Sequence, residues 1–160
     1  MGFSKEYAEK HILYDPGTGI FLRISGSGTL KKCGCLSDKG YVQIIIDRNQ
    51  YFAHRLAWLI SYGAWPKDQI DHINGIRSDN RLANLRECTN KQNHQNRKKP
   101  RKDSKSGFLG VNKNGASWQA RIKVDGKEIY LGRYSSAEEA HEAYLLAKKK
   151  HHPFSSQIGY

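Results

Sequence analysis

Between residues 71 and 96 the chain reads Asp-His-Ile-Asn-Gly-Ile-Arg-Ser-Asp-Asn-Arg-Leu-Ala-Asn-Leu-Arg-Glu-Cys-Thr-Asn-Lys-Gln-Asn-His-Gln-Asn, which sets an Asp71-His72 pair, Asn84 and Asn93 within one short segment. Imidazole is the side chain whose ordinary pKa lies nearest neutrality, so His72 can stand unprotonated and accept a proton from water. The carboxylate of Asp71 and the amide carbonyl of Asn93 are hard oxygen donors, suited to magnesium or manganese rather than zinc. Such a set fits cleavage of a phosphodiester, which needs an activated water and positive charge facing oxygens that gain negative charge. On a regular strand Asp71 and His72 point to opposite faces, so a bend or bulge is expected if both are to reach one phosphate. The Gly75 turn lies close enough to permit it.

The elements that must position these residues follow from their neighbours. An apolar approach ends at Ile70, a turn follows at Gly75, a strand starts after Asn84, and Thr89 is suited to cap a short helix from Asn90 that carries Asn93 on its first turn. In this order, with the Asp79-Asn80-Arg81-Leu82 and Asn84-Leu85-Arg86 segments, the stretch resembles the His-Asn-His (HNH) endonuclease family, whose site is a two-stranded ribbon and one helix around a single divalent metal. The resemblance implies a DNA endonuclease in which Asp71 and Asn93 hold the metal, His72 is the general base and Asn84 braces the loop through side-chain to backbone hydrogen bonds. Many members have His where Asn93 stands. One residue of helical rotation would bring His94 or Asn96 to the metal instead.

The 160 residues carry a formal net charge of +12 with 38% hydrophobic and 11% aromatic residues, enough apolar material for modest cores and the charge balance of a nucleic-acid binder. Most of the basic excess lies beyond residue 53, alongside the motifs. No run approaches the roughly 20 apolar residues of a membrane span, and the Met-Gly-Phe-Ser-Lys-Glu start lacks the apolar stretch of a secretory signal. A cytoplasmic protein is expected. Cys33, Cys35 and Cys88 are an odd set without the spacing of a structural zinc site, and are expected to be reduced thiols.

Upstream of the motif, residues 14–19 are dense in turn formers, 20–24 and 41–46 read as strands, and 47–50 turn the second toward a third at 51–53. Ile44, Ile45 and Ile46 in succession predict a strand covered on both faces. Leu56, Leu59 and Ile60, with Ala57 beside them, recur at helical spacing over 54–62, and Gly63 stops the helix. The His54-Arg55-Leu56-Ala57 start also recurs in the HNH subgroup that the chain resembles. A role supporting the site or touching DNA is open to His54, but a histidine at a helix start is more often structural, which leaves His54 outside the catalytic set.

Residues 98–107 contain no apolar residue except proline and read as a solvated linker. Its basic side chains and the residue before it, Arg97, Lys98, Lys99, Arg101 and Lys102, are expected to touch phosphates without reading sequence. Beyond it, 108–111 and 117–124 read as strands, and Asp125-Gly126 is a two-residue hairpin turn that sets Val124 opposite Lys127, Ile122 opposite Ile129, Arg121 opposite Tyr130 and Ala120 opposite Leu131. One face of that hairpin is apolar, and the other carries Gln119, Arg121 and Lys123. Ser136 to Glu139 form a capping box, and Ala140, Ala143, Tyr144 and Ala147 make a small-residue stripe suited to packing on a sheet.

Gly110-Val111, the 118–122 strand, Leu131-Gly132-Arg133-Tyr134 and the Ala137-Glu138-Glu139-Ala140 helix start resemble the Apetala-type domain of plant ethylene-response factors. That family lays a three-stranded sheet in the DNA major groove. The resemblance implies DNA contacts from Lys113, Trp118, Lys123 and Tyr130, with Arg121 and Gln119 on the same open face, although Trp118 also alternates with the apolar set. Asn112 and Asn114 depart from the plant pattern, so its target sequence does not carry over.

The expected fold is α+β: a ββα-metal nuclease core preceded by a small antiparallel β region and helix, and followed by a three-stranded antiparallel sheet packed on a C-terminal helix. The expected organisation is a nuclease domain at 1–97, with its metal motif at 67–97, then a linker at 98–107, an Apetala-type domain at 108–154 and a tail. The expected function is hydrolysis of double-stranded DNA with one Mg2+ or Mn2+, by a monomeric, homing-type nicking enzyme with no obligate protein partner. The competing classes are a DNA-binding regulator with a lapsed nuclease centre and an RNase-like toxin.

Overall fold

The computed structural model describes residues 3–97, 99, 100 and 103–155. Lys98, Arg101 and Lys102, three of the expected phosphate contacts, lie outside the described residues. The chain forms two units, residues 1–90 and 91–160, each mixing short antiparallel sheets with helices. The architecture is α+β, and its C-terminal part is a three-stranded sheet packed on the last helix.

The first unit begins with a helix that the strand reading of the N-terminal third did not anticipate. Helix α1 (Lys5–His11) is capped by Ser4, whose side chain accepts from the Tyr7 amide, and carries Glu6 in its first turn and Lys10 and His11 in its last. Strands β1 (Ile12–Asp15), β2 (Ile20–Ile24) and β3 (Leu30–Lys32) form an antiparallel meander. Tyr14 belongs to the first strand rather than to the turn, because its ring stacks on its cross-strand partner Phe21, with centroids 4.7 Å apart. The turn itself is tied by Asp15, whose carboxylate accepts from the Gly17 amide and the Thr18 hydroxyl.

A second meander comprises β4 (Cys35–Leu36), β5 (Val42–Ile46) and β6 (Asn49–Phe52). Ile44 and Ile46 are fully buried, whereas Ile45 between them is 50% exposed. The expectation of a strand covered on both faces is therefore corrected: an antiparallel sheet needs only one face on the core, and strand alternation turns Ile45 outward. Helix α2 (Ala53–Tyr62) buries Leu56, Ala57 and Leu59 as its spacing predicts. Ile12, Phe21, Ile44, Ile46, Ala53, Leu56, Ala57, Ile70 and Leu85 make one core, in which each large aliphatic side chain contributes about 1.5–3 kcal/mol of burial. The three cysteines are free, as expected of reduced thiols.

In the second unit, β9 (Val111–Asn114), β10 (Ser117–Val124) and β11 (Lys127–Tyr134) pair in the order β11-β10-β9, and α4 (Ala137–His151) packs against them. Ser136 caps α4 through the Glu139 amide. The first strand starts at Val111 and not at Phe108. Ser106 folds the chain there into a turn, accepting from the Phe108 amide and donating to the Val111 carbonyl, and the Phe108 ring packs on His141.

The hairpin register matches the turn chemistry from Val124–Lys127 to Arg121–Tyr130 and then slips, so that Ala120 faces Gly132 instead of Leu131. The extra residue is a β-bulge at Leu131, which packs on the core while the Tyr134 hydroxyl donates to its carbonyl at 3.1 Å. Among the described residues no helix is long and apolar enough to cross a membrane.

Candidate active site

Strands β7 (Gln69–His72) and β8 (Leu85–Cys88) form the ribbon expected from the motif, and a 3-10 turn at Leu82–Asn84 leads into the second strand. Pairing runs without interruption from Gln69–Cys88 to His72–Leu85. No bulge separates Asp71 from His72, which corrects the expectation of one, and alternation sends the two side chains to opposite faces of the ribbon. The reason lies in the pairing. Asp71 faces Arg86 across the ladder, while Ile70 and Leu85 must remain in the core.

Asp71 is 7% exposed and His72 is 5% exposed. Arg86 Nε donates to Asp71 Oδ2 at 3.0 Å, and its Nη2 lies 2.9 Å from the same oxygen. A carboxylate this buried needs such a partner, since an isolated charge away from water is costly. Arg86 was not singled out from sequence, and its only advance signal was its place in the strand after Asn84.

His72 sits beside a second imidazole. The His54 ring at the start of α2 meets it edge-on with centroids 5.1 Å apart, and the Tyr41 ring lies 5.3 Å from His54 and 5.9 Å from His72. Phe52 stacks on His54, and the Arg77 guanidinium covers Tyr41 at 4.8 Å. Burial pushes the pKa of His54 down to about 3, with His72 adding to the effect. Burial also lowers His72, against its interaction with the Asn80 side chain and the charges of Asp71 and Asp79, which favour the protonated form. Burial thus disfavours the protonated form of both rings, and the unprotonated form is the one that can accept a proton. Of the roles open to His54, its place is beside the His72 ring, a partner that helical spacing alone gives no sign of.

The loop between the strands is organised by Asn84. Its side-chain oxygen accepts from the Asn74 amide at 2.9 Å, its nitrogen donates to the Asp79 carbonyl at 2.8 Å, and its carbonyl accepts from the Ile73 amide at 2.9 Å. Asp79 is clasped by both ends of the Arg81 guanidinium and by Asn74, and the Arg81 bonds hold its carboxyl at about 2. Asn80 is 2% exposed.

Asp71, His72 and Asn84 therefore all lie on the ribbon and its loop in the first unit, with Asp71 and His72 on opposite faces. Asn93 lies in the second unit on α3 (Asn90–Gln95), where it is half-buried; His94 on the same helix is exposed, and Asn96 just beyond it is buried. No group of three His, Cys, Asp or Glu side chains able to hold a metal occurs among the described residues. A set of one carboxylate and one amide carbonyl lies outside that search, and its hard oxygens fit a hard divalent cation.

On the C-terminal sheet, Gln119, Arg121, Lys123 and Tyr130 share the face turned away from the Ala120 core, together with Arg133, which the sequence reading passed over. Lys123, Tyr130 and Arg133 are exposed, but Gln119 is buried. Arg121 donates to Glu128 at 2.8 Å and to Gln119 at 3.0 Å. Lys113 and Trp118 pair on the other face, with the Lys113 ammonium 5.5 Å from the indole centroid and Trp118 packed against the core. In the basic run, Arg97 and Lys99 are exposed.

Residues 51–95 match the family model described as HNH endonuclease. The matched stretch runs over the end of β6, α2, the ribbon and α3. No curated protein gives a significant match. Among solved structures the chain is similar to the HNH homing endonuclease I-HmuI, from a study of DNA binding and cleavage, at 21% identity and a TM-score of 0.43, over 88% of this chain and 80% of that one.

Proposed function

We propose that this protein is a divalent-metal-dependent endonuclease that hydrolyses phosphodiester bonds of double-stranded DNA. The observation that carries the proposal is the buried His72 at the end of β7, next to Asp71 in sequence and within a stretch that matches the HNH endonuclease model. His72 accepts the proton of the attacking water. Asn84 holds the loop in one shape through its three backbone bonds, so the imidazole keeps its place while the water is deprotonated.

By the sequence resemblance Asp71 and Asn93 would hold the metal, with Mg2+ or Mn2+ favoured by their oxygen donors, and since Asp71 and His72 leave the regular ribbon on opposite faces, the chain beyond His72 would have to bend for both to act on one phosphate. When bound, such an ion supplies positive charge to the oxygens that become negative at the phosphate. Arg86 is ion-paired with the same Asp71 carboxylate.

The C-terminal unit, with its resemblance to Apetala-type domains, positions the duplex through the exposed basic side of its sheet, and the basic run from Arg97 adds sequence-blind phosphate contacts. One catalytic centre cuts one strand per visit, so a monomer of the homing type would nick. The test is to incubate supercoiled plasmid with Mg2+ and either wild-type or His72→Ala protein. Wild type should convert the plasmid to open circles and the variant should not. A DNA-binding regulator would retard the plasmid in a gel while leaving it supercoiled with both proteins, and preferential cleavage of structured RNA would point to the toxin class.

A further inference from the structure

We propose that Arg77, in the loop after His72, is a phosphate clamp: its guanidinium, held on the Tyr41 ring, grips a DNA backbone phosphate flanking the bond that is cut and so seats the strand at His72. The inference rests on the nuclease reading given above. It gives the first unit a DNA contact of its own, where the expected contacts lie in the basic run and on the C-terminal sheet.

Three arginines, Arg77, Arg81 and Arg86, lie in the loop after His72 and the strand that follows it. Arg81 is clasped to Asp79 and Arg86 to Asp71, so both positive charges are already met by carboxylates. Arg77 differs. Its partners are neutral: Nη1 donates to the Lys39 carbonyl at 2.8 Å, and the guanidinium carbon stands 4.8 Å from the centroid of the Tyr41 ring. Among the described residues no carboxylate pairs with it, and it is exposed. A guanidinium presents its N–H donors as a planar fork that matches two phosphate oxygens, and an aromatic face orients it without neutralising it. The Lys39 carbonyl takes one nitrogen of that fork. Charge and donors are left for an anion.

The setting makes that anion part of the substrate. The Tyr41 ring that carries Arg77 also lies 5.9 Å from the His72 imidazole, so one aromatic ring joins the cation to the proposed base. The loop backbone is held as well. The Gly75 amide donates to the His72 carbonyl at 2.8 Å, the Ile76 amide to Asn74 Oδ1 at 2.8 Å and the Asp79 amide to the Ile76 carbonyl at 3.1 Å, which fixes the chain on either side of Arg77. An arginine anchored at both its backbone and its guanidinium has less side-chain freedom left to lose when it grips a phosphate. In the proposed reaction the phosphate under attack already has His72, Asp71 and Asn93 assigned to it. Arg77 is therefore assigned a flanking one.

The test uses the full-length protein and follows single-turnover cleavage of one duplex in Mg2+, binding of that duplex across a salt series, and thermal unfolding. Arg77→Ala should reduce the slope of log affinity against log salt by about one unit. It should also lower the cleavage rate at saturating DNA by about 10-fold or more, because the strand is seated less well, with the melting temperature unchanged. Arg77→Lys keeps the charge but not the fork, so it should restore the slope and only part of the rate. Tyr41→Phe keeps the ring and should behave like wild type, whereas Tyr41→Leu should cost less in the Arg77→Ala background than alone. A duplex with one neutral methylphosphonate beside the cleaved bond should slow wild type and leave Arg77→Ala no slower than on unmodified DNA. Binding and cutting by Arg77→Ala at wild-type levels while His72→Ala is inert would overturn the clamp and leave the nuclease reading standing. So would losses that only follow the melting temperature, or full additivity between Arg77→Ala and every flanking methylphosphonate. Wild-type protein that leaves the duplex uncut removes the nuclease reading and this inference with it.

Discussion

The ribbon of the first unit and the sheet of the second are both small antiparallel structures, but they place polar side chains in opposite ways. Around the ribbon, Asp71, His72, Asn80, Asn84 and His54 are all at most 7% exposed, inside a core anchored by fully buried Ile12, Ile44, Ile46, Leu56 and Leu59. On the sheet the buried hydrophobic cluster is Val111, Ala120, Ala137 and Ala140, and much of the polar chemistry stands in water, with Lys123, Tyr130 and Arg133 exposed. A proton acceptor gains from a dry, rigid setting that keeps it neutral and aligned. Phosphate contacts need charges that remain solvated until DNA arrives. On the proposed function the contrast is one between reacting and holding, and variants of these side chains in one region should leave the other's property intact.

The largest effect expected is on turnover. His72→Ala should lower the cleavage rate by about 10²- to 10⁴-fold, the contribution of a general base, and Asp71→Ala should do likewise through loss of the metal. Duplex affinity measured by anisotropy should hold in both. Next in size is a packing change in the second unit. A Cβ on Gly110 would lie 2.0 Å from the Tyr144 ring at a φ of +71°, so Gly110→Ala should cost about 3 kcal/mol, seen as lower stability in denaturant and weaker DNA binding, with the His54–His72 environment unchanged by NMR.

A pH titration sharpens the same contrast. The folded pKa of His54 lies near 3, below its unfolded value of about 6.5. As pH falls below about 6.5 the unfolded chain therefore binds a proton that the folded chain refuses, and stability should drop by on the order of a few kcal/mol before levelling off below the folded value. His54→Phe should flatten that acid slope. Burial shifts His72 in the same direction, so the acid limb of the cleavage profile should lie below pH of about 6.5. The smallest effect is expected on the sheet. Arg121→Ala with Lys123→Ala should weaken binding and reduce its salt dependence by about one unit of slope for each phosphate no longer neutralised, and Arg121, already shared with Glu128 and Gln119, should matter less than Lys123.

What could be read from the sequence was what depends on near neighbours. Leu56, Leu59 and Ala57 marked the buried side of α2, Asp125-Gly126 set the first part of the β10–β11 register, and Ser136 marked the start of α4. Features decided by distant contacts stayed hidden. The Leu131 bulge depends on Tyr134 folding back over it, the outward turn of Ile45 on which side of the meander meets the core, and the regular Asp71–Arg86 pairing on the ladder as a whole. In the candidate site, Asp71, His72 and Asn84 stood out by type and spacing. His54, Asn80 and Arg86 did not, because their partners come from a helix start, an upstream hairpin and the opposite strand.

The most direct measurement follows cleavage and binding of one duplex, in Mg2+ and at fixed salt, for wild type, His72→Ala and the Arg121→Ala, Lys123→Ala pair. The account predicts that His72→Ala binds like wild type without cutting, and that the pair binds more weakly yet cuts at the wild-type rate once DNA is saturating. Cutting by His72→Ala, or equal loss of binding in both variants, would contradict it.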